Sequence, residues 1–332
     1  MPTHKIYLVA LALGCLSPML SVAQRIDNTA SFRDMGSDTY ARFHYDNDYF
    51  TATDYYYTQG YSIEIVNPAL RKNPLTKLLV KPKGNPIRYG LALEHFGFTP
   101  TTLSSDAILV GDRPFAAGIL LKTFSITTDT LRRVRVSSLL STGMVGPVAF
   151  GYEMQAAIHR LINGVEPHGW EHQIRNDAIL NYTLTYEKQL YAYQHALSVS
   201  ANAQAQAGTF VNRVQTGFVV MAGRFDPPFA HSINKRLPLQ LYVYAQPLVS
   251  LVAYDASLQG GLFNRSSPYV IPANQLMRTP FQANYGAVLR YRKLYLEYYQ
   301  SWLSREFETG MPHRWGGVKI GLAFHASDQV AN

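Results

Sequence analysis

Between Tyr45 and Ser62 the chain reads YDNDYFTATDYYYTQGYS, which sets Asp46, Asn47, Asp48, Asp54 and Thr58 in a short aromatic stretch. Carboxylates beside amide and hydroxyl oxygens suit a hard cation or the orientation of a hydrolytic water. A second candidate lies further on, in VAFGYEMQAAIHRLIN at 148–163. There Gln155 and His159 are four apart, so on a helix both project from one face. His159 borders an apolar stripe of Met154, Ile158, Leu161 and Ile162, where partial burial keeps an imidazole neutral and able to take a proton. Each candidate has a plainer alternative. Asn and Asp favour turns through local hydrogen bonds, and a histidine can simply pack or bond at a rim.

The elements that would position these groups follow from composition. Residues 1–23 read as an export signal: His4 and Lys5, an apolar run from Ile6 to Leu20, and a small-x-small site at Ser21-Val22-Ala23. The expected mature domain is 24–332. Cys15 is the one cysteine and lies within the signal, so the mature chain offers neither disulfide nor thiolate metal site. Net charge is +8, yet no recognition motif or lysine-rich run points to nucleic acid; an anionic lipid surface is the better partner. Tyrosine is abundant at 23 residues beside 16 Phe, charged residues make up 16%, and mean hydropathy is −0.10. Past the signal no apolar run is long enough for a spanning helix. An exported, aromatic, helix-poor chain with scattered hydrophobicity fits an all-β, antiparallel transmembrane β-barrel.

Alternation supports that class. Leu197, Val199, Ala201, Ala203, Ala205 and Ala207 alternate with Ser198, Ser200, Asn202, Gln204, Gln206 and Gly208. Such segments predict strands near 41–50, 57–66, 88–97, 115–126, 131–145, 178–189, 194–209, 211–224, 238–254, 280–292, 293–303 and 315–325. These make about 12 strands, an even number as barrel closure requires, with a soluble sandwich as the alternative. In the second strand the period puts Tyr57, Tyr61, Ile63 and Ile65 outward and Thr58, Gly60, Ser62 and Glu64 inward. In the first it puts Asp48 inward with Arg42, His44 and Asp46, and Asn47 outward, so Asn47 and Asp48 share a site only if the strand ends or bulges there. The 148–163 segment breaks the period of two and predicts a short helix in a long extracellular loop, stopped at Gly164.

Other motifs are weaker. Asp112 and Arg113, opening the fourth strand, could clamp a turn. Trp170 suits an interfacial anchor, and Gln173 and Asn176 could line a polar groove. No Gly-x-Ser-x-Gly elbow, His-Glu-x-x-His or phosphate-cradling glycine loop occurs.

Together, Asn47-Asp48, Tyr57-Thr58-Gln59-Gly60, Gly111 to Ala116, and the stretch from Val145 to Asn176 with Gly151, Gln155, His159, Gly169-Trp170 and Gln173 resemble the outer-membrane lipid A 3′-O-deacylases, the LpxR-like family. The resemblance implies a twelve-stranded barrel with its site near the outer rim, between the wall and a loop helix. It implies calcium-dependent release of the 3′-linked acyloxyacyl group from lipid A of lipopolysaccharide in the bacterial outer membrane; a monomer is the expected state. By position, His159 would activate water, Asn47 and Thr58 would orient the carbonyl and oxyanion, Gln155 would position substrate or histidine, and Asp48 would serve the metal. Glu166 stands one residue from the acidic position the family leads one to expect, which makes it a weaker metal candidate. A barrel phospholipase, with a serine beside His159, and a non-enzymatic porin-like barrel are the alternatives.

Overall fold

A computed structural model describes residues 27–53, 55–229 and 237–324. The export signal, Asp54 and the polar tail from Ala326 lie outside them. Twelve antiparallel strands close on themselves: β1 (Tyr40–Asn47), β2 (Tyr56–Val66), β3 (Ile87–Thr99), β4 (Ala116–Asp129), β5 (Val134–Val145), β6 (Asp177–Tyr193), β7 (Leu197–Gly208), β8 (Val211–Arg224), β9 (Leu239–Asp255), β10 (Phe281–Tyr291), β11 (Leu294–Leu303) and β12 (His313–Ala323). Each pairs with its sequence neighbours, and β1 closes on β12 from Tyr40↔Ala323 to Asn47↔Gly316. The expected strand count holds, because the alternation is what a wall facing two different media requires. Among the described residues no helix is long and apolar enough to cross a membrane; this barrel crosses with strands.

The two ends differ. At one, hairpins turn tightly through left-handed residues Arg133, Gln194 and Arg292, beside the start of β1 and the end of β12. At the other lie the long loops, including helix α1 (Gly151–Ile162) between β5 and β6 and helix α2 (Ala256–Gln259) after β9. Long loops mark the extracellular end of such barrels and short turns the periplasmic end.

The lumen is filled rather than open. The segment before β1 enters it and is tied to the wall by charge-assisted bonds. Arg33 Nε bonds Glu297 at 2.9 Å, the Ser31 hydroxyl donates to Glu187 at 2.8 Å, and Arg88 and Arg135 each reach Asp34 at 2.6 Å. Phe32 stacks on Tyr244 with centroids 4.1 Å apart. Burial alone would raise the Asp34 pKa, but Arg88 and Arg135 hold it well below the usual carboxylate range.

Two inward/outward expectations for β2 are corrected. Its register slips between Tyr57 and Gln59, so Thr58 is an extra, bulged residue. Tyr57 therefore turns inward, donating its hydroxyl to Asp46 Oδ1 at 2.9 Å and packing on Phe98 and Trp315. Thr58 is released from the inward row that alternation assigned it.

Candidate active site

The site begins with three rows of side chains on the outside of the wall. Lowest, Phe43, Ile63, Leu93 and Leu121 are cross-strand neighbours on β1–β4, about half exposed at 45–53%. Next come Tyr45, Tyr61, His95 and Ile119. Nearest the rim are Asn47, Gln59, Gly97 and Ala117. Residues two apart on a strand share a face, so all three rows face outward. Within three rows the wall passes from aliphatic, through aromatic, to polar and small.

Helix α1 lies on the top row. Gly151 makes this approach feasible: a Cβ there would fall 2.5 Å from the Cβ of Ala117 and from the Trp170 ring. Leu103, Phe115, Ala117, Ala149 and Trp170 form the apolar seam under the helix. Gln155 points into it, almost wholly buried. Its Nε2 donates to Thr58 Oγ1 at 3.2 Å, and its Oε1 accepts from the Trp170 indole at 2.7 Å. The bulge at Thr58 thus has a purpose, since it presents a hydroxyl to the outer wall where the helix can reach it. Trp170, expected at a lipid interface, instead serves as a buried wedge that orients Gln155.

His159 stands one helical turn beyond Gln155 on the same face. Its Nδ1 lies 2.5 Å from the Val165 carbonyl. A carbonyl can only accept, so Nδ1 carries a proton, and in the neutral ring the lone pair is on Nε2. That is the tautomer a general base needs. Among the described residues no serine hydroxyl bonds to His159, and no direct bond joins it to Asn47 or Thr58.

Asn47 ends β1 and caps the 3-10 turn Asp48–Thr51, its Oδ1 accepting from the Tyr49 N–H at 2.7 Å. The strand ends at Asn47, which faces the outer side, and Asp48 starts the turn that follows. The Asn47 side chain also bonds to Tyr45, its neighbour in the middle outer row. Asp48 opens the turn and its Oδ2 accepts from the Tyr55 N–H at 2.7 Å. Glu166 is exposed and bonds the Tyr152 hydroxyl at 3.3 Å, so it is not gathered with Asp48. Among the described residues no three His, Cys, Asp or Glu converge on a metal position. The donors at this turn are nonetheless all hard oxygens, the kind calcium takes together with neutral oxygens and water. In kind, though not in number of charges, they fit.

Three buried polar atoms here lack a partner: Gln59 Nε2, Gln173 Oε1 and His95 Nδ1. Gln59 sits beside Asn47 and next to the bulge, almost wholly buried, with its amide donor unused. It belongs to the Tyr57-Thr58-Gln59-Gly60 motif, but nothing in sequence distinguishes an orphaned amide from a satisfied one. His95 donates through Nε2 to the Ala149 carbonyl at 2.6 Å and stacks on Tyr61, fixing the base of the helix. The Asp112–Arg113 clamp is also redistributed. Asp112 accepts from the Thr101 N–H at 2.8 Å, while Arg113 pairs with Glu306, bonds Ser257 and lies over the Phe98 ring, joining three extracellular loops.

A family model described as "Outer membrane protein LpxR" matches residues 8–324. No curated protein matches the chain. Among solved structures, LpxR from Salmonella typhimurium superposes with a TM-score of 0.70 at 16% identity, covering 86% of this chain and 100% of that one. The β domain of the Bordetella autotransporter BrkA gives a TM-score of 0.46 at 8% identity over 87% of this chain and 100% of that one.

Proposed function

Because the chain belongs to the LpxR family of outer-membrane proteins, and so resides in the bacterial outer membrane, we propose that it is a lipid A 3′-O-deacylase. It acts on the outer wall, by water attack on the ester that links the acyloxyacyl group to the sugar. The observation that carries this reading is the chain Thr58–Gln155–Trp170, which pins a histidine-bearing helix over the wall where it turns from aliphatic to polar. A lipid ester in the outer leaflet meets the wall at that level, its acyl chains below and its sugar above. Lumen transport finds no such support, since the 27–37 segment occupies the barrel interior.

In the proposed reaction His159 Nε2 removes a proton from a water, and the water oxygen bonds to the acyl carbonyl carbon. The resulting oxyanion receives hydrogen bonds from the rim row: the Gln59 amide, the Asn47 amide and the Thr58 hydroxyl, which accepts from Gln155 and so keeps its own proton to give. Collapse breaks the carbonyl carbon–oxygen bond to the sugar, and the His159 imidazolium returns its proton to the departing alkoxide. The products are the free acyloxyacyl acid and the 3′-hydroxyl. Gln155 positions and does not react. Calcium, with Asp48 as its charged ligand and water and substrate oxygens completing the shell, would add positive charge beside the oxyanion.

Purified protein incubated with lipid A in detergent tests the reading. Release of the 3′-linked acid is expected from the wild type, is lost in H159A, and falls in D48N and on chelation with recovery on adding calcium. Release by H159A at the wild-type rate would overturn it. Full release from the wild type under chelation would remove calcium from the account and leave the histidine chemistry standing.

A further inference from the structure

The connection between β2 and β3, residues 67–86, carries Arg71, Lys72, Lys77, Lys81 and Lys83 and no acidic residue. It lies at the short-turn end, far longer than the hairpins beside it. Its conformation is built. Two 3-10 turns, Pro68–Lys72 and Pro74–Leu78, each start with proline and are capped by the Asn67 and Asn73 side chains, which accept from Ala69 N–H at 2.8 Å and Leu75 N–H at 3.0 Å.

The segment then lies along the outside of the barrel. Asn73 Nδ2 reaches Thr123 Oγ1 at 3.4 Å, the Val80 N–H donates to the Tyr182 hydroxyl at 2.9 Å, and the Ser138 hydroxyl donates to the Val80 carbonyl at 3.2 Å. Thr123 is two residues from outward-facing Leu121, and Ser138 faces opposite to Arg135 of the lumen, so both belong to the outer wall. Both are nonetheless buried, because the strap covers them. What it presents away from the wall is mixed: Leu78 is 62% exposed and Val80 46%, among exposed Arg71, Lys72 and Lys77. Lys81 is held by the Thr76 carbonyl and stiffens the strap. Exposed aliphatic tips among unopposed cations, on a wall that crosses a membrane, suit the headgroup level of an anionic leaflet.

We propose that the 67–86 strap is a lipid-binding surface for anionic phospholipid headgroups of the periplasmic leaflet, with Arg71, Lys72 and Lys77 at the phosphates and Leu78 and Val80 among the upper acyl carbons. The occupant is identified by charge complementarity and by the end of the barrel at which the strap lies.

The test reconstitutes full-length wild type and R71Q/K72Q/K77Q in bilayers of phosphatidylethanolamine with a minority of phosphatidylglycerol, extracts both in mild detergent, and quantifies retained lipid by mass spectrometry. Wild type should retain phosphatidylglycerol above its bulk share, and the triple variant should lose about fivefold or more of that preference. Equal preference in the two proteins would overturn the proposal. So would displacement of the retained lipid by inorganic phosphate, which would mark a small-anion site instead. A second variant, L78N/V80N, keeps the charges and should lower retention of both lipids alike; unchanged retention would sink the apolar half. Near-UV circular dichroism confirms that each variant is folded.

Discussion

The lumen and the outer rim are both rich in buried polar groups, but they are completed differently. In the lumen, charge meets charge. Arg33 pairs with Glu297, Arg42 with Glu64, Lys122 with Glu94, and Asp34 with two arginines. On the outer rim the groups are neutral; Gln59 Nε2, Gln173 Oε1 and His95 Nδ1 are unpartnered there, as lumen atoms such as Ser62 Oγ and Ser137 Oγ also are. Buried charges must be paired to be tolerated, so dense ionic order there reports on the fold. An unused buried polar atom costs stability, and the unused donor Gln59 Nε2 differs from the lumen atoms in lying beside Asn47 and the Thr58 bulge. By that contrast the conspicuous cluster, carboxylates and arginines inside the barrel, is scaffold, and the inconspicuous one is the candidate site.

Substitutions can break the contrast. The largest effect is expected at the rim: H159A should reduce deacylation roughly a thousandfold, about 4 kcal/mol of barrier, with unfolding unchanged. In the lumen R33A should do the opposite. It leaves buried Glu297 with the Tyr244 and Tyr295 hydroxyls but without its arginine, and should cost about 3 kcal/mol of stability while the folded fraction keeps its turnover, as thermal unfolding and kinetics on one preparation would show. Q59L should lower kcat about a hundredfold with little change in KM, as expected for a donor used in the transition state. Should KM rise while kcat holds, Gln59 is a binding group instead.

Smaller effects sharpen the picture. Q155L removes the link between Thr58 and Trp170 and should cost about tenfold in kcat, through a helix less firmly placed over the wall. The pH response of the lumen plug has a definite sign. The folded pKa of Asp34 lies below its ordinary value of 3.8, so its contribution to stability is complete above that value and is lost as pH falls through the folded one. Unfolding temperature should therefore hold from neutral pH down to about the ordinary carboxylate value and drop below it, whereas D34N, less stable at neutral pH, should show a shallower drop.

Much of the fold was legible because alternation has one cause here, two solvents on two sides of a wall. The twelve strands and the loop helix came from that period and its one interruption. The side of the wall used by the site was not legible. Period two separates residues into two faces without saying which face a loop returns to, so alternation alone left Asn47 and Asp48 on opposite sides of the wall. The bulge at Thr58 was hidden for a related reason: one inserted residue inverts Tyr57 and frees Thr58, and the YYYTQG run reads equally well with or without it. Trp170 shows a third limit, since a tryptophan between polar residues looks interfacial until the helix that buries it is in place. Asn47, Thr58, Gln155 and His159 could be nominated from sequence, but that Gln155 rather than His159 makes the contact with the wall could not.

The most direct test is mass spectrometry of lipid A from cells that make the wild type, H159A or R33A. Loss of the 3′-linked acyloxyacyl unit is expected with the wild type, an intact lipid with H159A, and partial loss with R33A in proportion to its folded amount. Identical spectra from all three, or loss of the unit in H159A cells, would contradict the proposed His159 mechanism.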